Sequence, residues 1–168
     1  MTENAGLVLV VDDDSLNRTL LTTNLQQQGY SVASARLEKI KTIGDCYMIA
    51  GGLPVPRSDH AEAVAEMALD MRSEFNSLPI VQSQDITMRL RTGIHSGPVV
   101  AGVIGKRKFA FDLWGDTVNT ASRMESHGQP DRVHVSEATF KLLEGQFTFE
   151  ARGPMPIKGK GLLNTWFL

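Results

Sequence analysis

Three stretches of the chain carry polar side chains at spacings that a fold alone does not require. In Lys39-Ile-Lys-Thr-Ile-Gly-Asp45, period-2 alternation predicts Lys39, Lys41 and Ile43 on one face, with Asp45 in the turn that follows. Taken alone, an Asp in a turn is ordinary turn chemistry. In Phe109-Ala-Phe-Asp-Leu-Trp-Gly-Asp-Thr-Val-Asn-Thr-Ala-Ser-Arg-Met124, Asn119 and Arg123 stand four apart on one helix and so project from the same face. Such a pair is more often solvated surface than site. In Ile157-Lys-Gly-Lys-Gly161 the glycines let a backbone approach a phosphate closely and the lysines supply charge, although Lys-Gly turns are also common at hairpin ends.

The elements that must position these residues read as follows. Leu7 to Val11 is a fully apolar, β-branched run closed by Asp12, Asp13 and Asp14, which predicts a buried strand opening into a loop. A helix follows, with Asp14 or Ser15 as N-cap, Leu16, Leu20, Leu21 and Leu25 as its stripe and Gly29 as its stop, and then a strand over Tyr30 to Ser34. From Leu37 the texture becomes antiparallel, with a hairpin through Gly44-Asp45 to Tyr47–Ala50. Asp59 opens a helix with Glu62 as capping-box partner and Val64, Met67, Ala68, Met71 and Phe75 as its stripe. Ile86 to Arg91 alternates as a strand, and Gly93 to Gly105 reads as a glycine-punctuated strand pair. A helix from Asp116 to about Ser126 stops at His127-Gly128. The remainder supplies a strand from Arg132, a helical turn from Glu137 and two strands around Pro154 to Gly161. The pattern predicts an α+β fold with a mostly antiparallel sheet.

Composition narrows the function classes. The 168 residues include 17 Lys+Arg and 19 Asp+Glu, a net charge of -2, which argues against a general binder of nucleic acid or of anionic membranes. The apolar run Leu7 to Val11 is far short of the roughly 20 residues that span a bilayer, and Met1 to Gly6 has no basic n-region, so a cytoplasmic setting is expected. The single Cys46 cannot form an internal bridge and reads as a small buried apolar residue. His60, His95, His127 and His134 show no metal spacing.

In combination the blocks say more than singly. Leu37 to Met48, Arg91 to Gly105, Phe111 to Ser126 and Ile157 to Gly161 stand in the order and wording of class III adenylate and guanylate cyclase catalytic domains, and this resemblance covers about 37–168. It implies a ferredoxin-like βαββαβ sheet with helices on one face. It implies a reaction in which the ribose 3′-hydroxyl of a nucleoside triphosphate attacks its own α-phosphorus, giving a 3′,5′-cyclic monophosphate and pyrophosphate. Two divalent ions, Mg²⁺ or Mn²⁺, assist such chemistry. By position, Asp45 matches the second metal-binding carboxylate, Asn119 the residue that orients the ribose, and Arg123 the one that stabilises charge on the α-phosphate. Arg107 and Lys158 match phosphate contacts. Lys41 and Asp112 match the purine-reading positions, with Leu113 also at the substrate. A Lys donor and an Asp acceptor complement adenine and mismatch guanine, so ATP and cyclic AMP are expected. The resemblance also implies a homodimer, or pairing with another cyclase partner, because the two halves of such a site come from different protomers. Gly97, Gly102 and Gly105 then read either as close-approach positions at that interface or as bulges and turns.

The chain departs from the family pattern at its start. The first strand, which carries the first metal Asp, has no counterpart. Instead, about Gly6 to Ala35 resembles the opening β-α-β of a response-regulator receiver, with Asp12 and Asp13 matching its acidic magnesium-binding pair. The receiver's phosphoacceptor strand, its Thr/Ser and its Lys are missing, so aspartyl phosphorylation is not expected. The expected organisation is therefore 1–36 as a receiver-like segment completing the sheet and 37–168 as a partial cyclase domain in two-component-linked signalling. In the split arrangement, Leu7 to Val11 would lie beside Tyr47 to Ala50 and bring Asp12, Asp13 or Asp14 near Asp45. The alternative is a catalytically inactive, cyclase-like dimerisation module.

Overall fold

The computed structural model describes residues 7–11, 31–35, 37–77, 88–105 and 109–168. The chain divides into two compact units, 1–63 and 64–168.

In the first unit, β1 (Leu7–Val11) and β2 (Ser31–Ala35) pair in parallel, from Leu7 opposite Ser31 to Val11 opposite Ala35. β3 (Glu38–Ile43) and β4 (Cys46–Ala50) form a separate antiparallel hairpin. This corrects the split arrangement: β1 takes β2 as its partner, not β4, and the pair is a sheet of its own. The reason is loop closure. A two-residue turn gives β4 to β3 at minimal entropic cost, whereas the long connection after β1 suits a parallel crossover. The helix expected in that connection, together with Asp12, Asp13 and Asp14, lies outside the described residues.

The β3–β4 turn is made by Gly44 and Asp45, with Gly44 at φ 61°, the left-handed value that two-residue hairpin loops call for. The ladder slips between Lys39 and Lys41, so that Lys39 opposes Ile49 while Lys41 already opposes Met48. One extra residue reverses the faces beyond it. Lys41 and Ile43 thus share one face, and Lys39 lies on the other, where its Nζ stands 5.0 Å from the centroid of the Tyr47 ring. The common face expected for all three is lost to this bulge. Cys46 is also corrected: it is exposed at the start of β4, too near the turn to be covered.

α1 (His60–Ser77) begins directly after Asp59, both of whose carboxylate oxygens are held by Arg57 at 2.6 Å. The second unit continues with β5 (Thr92–Ile94), β6 (Val100–Ile104), β7 (Ala110–Trp114), α2 (Asp116–Ser126), β8 (Val133–Ser136), α3 (Glu137–Leu143), β9 (Glu150–Ile157) and β10 (Gly161–Phe167). Its main sheet has the order β5-β8-β10-β9, parallel between β5 and β8 and antiparallel elsewhere. β6 and β7 pair with each other, so the strands read as a pair from Gly93 to Gly105 belong to different sheets. Pro98 lies between them and cannot donate to a ladder. Residues 88–91 of the expected strand Ile86 to Arg91 are not strand, which begins at Thr92. The expected α+β class is found. Among the described residues no helix is long and apolar enough to cross a membrane.

The central strand β8 is buried on both faces. Val133 and Val135 pack with Ala68 of α1 and Ile94, beside Phe140 and Trp166, whose rings stack at 4.3 Å. His134 faces the other way, toward α2, where Met124 packs on Met155, Ile157 and Leu163. α2 lies directly on β5: a Cβ at Gly93 would stand 2.0 Å from the Glu125 nitrogen and 2.5 Å from the Met124 carbonyl carbon. Backbone cannot yield as a side chain tip can, so Gly93→Ala must displace the helix. We expect it to lower the unfolding free energy by about 3 kcal/mol, as overpacked cores do, measured by urea denaturation. An unchanged midpoint would show that α2 can shift freely.

Candidate functional site

The expected site residues of the second unit gather around α2. Gly115, at φ 128°, turns the end of β7 abruptly into the helix. Asn119 is exposed and Arg123 half-buried one turn later, on the same face. Near the C-terminal end of α2, the Arg123 guanidinium also complements the helix dipole. Thr117 donates to the Pro98 carbonyl at 2.5 Å, and a Cβ at Gly97 would stand 2.7 Å from the Thr117 Oγ1. Gly97 is thus a close-approach position within this chain, and Gly102 lies against the Trp114 ring.

Asp112 sits on β7 opposite Gly102, half-buried, with Oδ1 accepting the Leu113 N–H at 2.8 Å. The Leu113 side chain is buried in the core, so this residue can meet a ligand only through its main chain. Lys158, Gly159 and Lys160 form the β9–β10 turn, with Gly159 at φ 83° and the Lys160 N–H donating to the Ile157 carbonyl at 2.9 Å. Lys160 ion-pairs with Asp116 in the first turn of α2. Lys158 is exposed, with no ion-pair partner among the described residues. The fold therefore brings the Lys-Gly-Lys turn to the start of the helix that carries Asn119 and Arg123. Lys41 and Asp45 belong to the first unit, Lys41 half-buried on β3 and Asp45 exposed in its turn. Arg107 lies outside the described residues.

Among the described residues no three His, Cys, Asp or Glu side chains converge on a metal position. Of the expected carboxylate ligands, Asp45 lies among the described residues, and Asp12, Asp13 and Asp14 lie outside them.

His95 and Asp116, to which the sequence gave no role, join Lys160 at the site. A cleft of about 560 Å³ opens beside the first turn of α2, lined by His95, Gly97, Val100, Trp114, Asp116 and Thr117. His95 Nδ1 is 2.7 Å from Ser136 Oγ, which is 3.3 Å from Thr139 Oγ1; the latter donates to Ser96 Oγ at 3.2 Å. Burial pushes the His95 imidazole below its ordinary value, Lys160 acts in the same direction and Asp116 opposes them. His95, Asp116 and Lys160 all lie inside the motif blocks, but only the tertiary fold shows that they meet.

His134 is fully buried. Its Nδ1–H donates to the Met124 carbonyl at 2.7 Å, which leaves Nε2 to accept from Arg152 at 3.2 Å. Burial lowers its pKa, the Met124 bond works against that, and the charges of Arg152 and His127 reinforce it. A depressed folded-state value means that neutral imidazole is favoured in the fold. The stability it contributes is fully present above the unfolded value of about 6.5 and is lost as pH falls. His95 acts with the same sign. Urea titrations should therefore show stability falling from about pH 7 to pH 5, with a shallower fall in His134→Gln. An equal slope in that variant would deny His134 the role.

The chain matches the family described as the Adenylate and Guanylate cyclase catalytic domain over residues 18–168. That match begins inside the segment read from sequence as receiver-like. Over 132 residues it is 45% identical to an adenylate cyclase of Mycobacterium tuberculosis, covering 79% of this chain and 29% of the relative. Over 138 residues it is 46% identical to the guanylate cyclase soluble subunit beta-2 of Homo sapiens, covering 77% of this chain and 21% of the relative. The chain thus spans less than a third of these curated relatives. Among solved structures, the guanylate cyclase domain of RhGC from Catenaria anguillulae in complex with GTP superposes with a TM-score of 0.73 at 32% identity, covering 90% of this chain and 77% of that one.

Proposed function

The chain belongs to the adenylate and guanylate cyclase catalytic-domain family, and from that premise we propose that it converts ATP to 3′,5′-cyclic AMP and pyrophosphate. The observation that carries this reading is the placement of Asn119 and Arg123 on one face of α2, with the Lys158 turn latched to the first turn of the same helix. In the reaction the ribose 3′-oxygen forms a bond to the α-phosphorus, the bond to the bridging oxygen of pyrophosphate breaks, and the hydroxyl proton leaves to solvent. Asn119, exposed on α2, orients the ribose by hydrogen bonding. Arg123 offers a planar guanidinium to the α-phosphate oxygens, where negative charge builds in the transition state. Lys158 and Arg107 hold the β- and γ-phosphates.

Domains of this family generally use two divalent ions. Asp45 is the residue among those described that would hold such an ion, which would neutralise phosphate charge. Adenine selectivity is assigned to Lys41 and Asp112: a Lys donor meets adenine N1 and a carboxylate accepts from the 6-amino group, whereas guanine presents the opposite pattern at both atoms. The bulge in β3 supports this assignment for Lys41, since it turns Lys41 away from the face on which Lys39 packs over Tyr47. A homodimer in a cytoplasmic setting completes the reading. Val100, Val103, Ile104 and Phe109, exposed on and beside the β6–β7 hairpin, are the apolar surface that such pairing would cover.

Cyclic AMP production by the purified chain, with ATP and Mg²⁺ or Mn²⁺, tests the proposal directly. We expect weak turnover, and Arg123→Ala should lower kcat about 10²- to 10³-fold while leaving ATP binding nearly unchanged, as for groups that act in the transition state. No product with either ion would favour the inactive module, and equal losses in turnover and binding would contradict the role of Arg123.

Base selection has its own test. Lys41→Glu combined with Asp112→Cys should move preference from ATP toward GTP, measured as the ratio of kcat/KM values. Unchanged discrimination would mean that these side chains do not face the base.

A further inference from the structure

The Lys-Gly-Lys turn holds two lysines, and the fold treats them differently. Lys158 projects into solvent, whereas Lys160 is turned inward, with 26% of its side chain exposed, and meets the Asp116 carboxylate. The glycines on either side, at φ 83° and 74°, let the turn bend sharply enough to send the two lysines in different directions. Asp116 is itself well placed. It stands in the first turn of α2, where the helix dipole favours an anion, and its carbonyl accepts the Thr120 hydroxyl at 2.9 Å. The adjacent Thr117 is fastened to the Pro98 carbonyl, so the helix start has a fixed position to which the turn can be tied.

We propose that Asp116 and Lys160 are a positioning pair that locks the β9–β10 turn onto the first turn of α2 and thereby presents Lys158 to the triphosphate beside Asn119 and Arg123. This rests on the reading of the site given above. The Asp116 side chain is 72% exposed, so the pair adds little to the stability of the whole unit. Its effect is local, on a short turn between two strand ends. Neither residue touches the reacting atoms in this scheme; both act through Lys158.

Asp116→Asn keeps the shape and removes the charge. Without nucleotide, the Lys160 amide should exchange with solvent faster in this variant, because the turn that carries it is released. In cyclase assays KM for ATP should rise about fivefold, the upper end for an exposed ion pair, with kcat within about twofold and the thermal midpoint unchanged. Asp116→Glu should restore both readouts. Adding Lys160→Gln to Asp116→Asn should cost no more than the single change, since the two residues act as one unit. Additive losses, or unchanged exchange and KM, would overturn the proposal. Faster exchange in a chain that forms no cyclic nucleotide would uphold the latch and overturn only the reading of the site.

Discussion

The backbone of α2 rests on β5 at Gly93 with no room for even a methyl group, and that approach decides where Asn119 and Arg123 can stand. Other fastenings act on the same helix. Thr117 ties its first turn to the Pro98 carbonyl, and His134 binds the Met124 carbonyl near its end. Steric exclusion sets the distance from the sheet, and hydrogen bonds at the two ends set rotation and register. A helix held in this way keeps two polar side chains on one face without either of them being packed in place. Asn119 remains exposed because others do the positioning.

β8, whose His134 holds the end of α2, also seats α3. β8 alternates Val133 and Val135 with His134 and Ser136, and all four are buried. Buried polar groups are tolerable only when satisfied, and each of these has its partner. Ser136 caps α3 through the Thr139 N–H and also meets His95 on the wall of the cleft. Disturbance at the cleft therefore has a short polar route to the cap of α3, through one hydroxyl.

Much of this architecture is written in local signals. Gly115-Asp116 and His127-Gly128 bracket α2 as its observed bounds require, and Gly44-Asp45 makes the β3–β4 turn. What escapes the sequence is whatever depends on counting across a partner or on tertiary choice. Alternation put Lys39 with Lys41, but a bulge adds a residue that no residue type announces, and the face reverses. The sequence pointed to β4 as the neighbour of Leu7 to Val11, yet that strand pairs in parallel with β2, while β4 pairs with β3. Asp116 and Lys160 are each unremarkable in the chain, 44 residues apart, and their pairing exists only once β9, β10 and α2 have assembled. The candidate site residues on α2 were legible because helix spacing is local; the latch that supports them was not.

The chain has two tryptophans, and the fold places them in different surroundings. Trp166, half-buried, lies flat against Phe140 beside the core, at an interplanar angle of 4°. Trp114 stands on the rim of the cleft with 39% of its surface exposed. Indole emission shifts to longer wavelength as water reaches the ring, so the two report on different places. Light from Trp114 follows occupancy of the cleft at the start of α2, while that from Trp166 follows the integrity of the layer beneath α1 and α3. The molecule thus carries its own optical means of telling a ligand at the site from a loosening of the core.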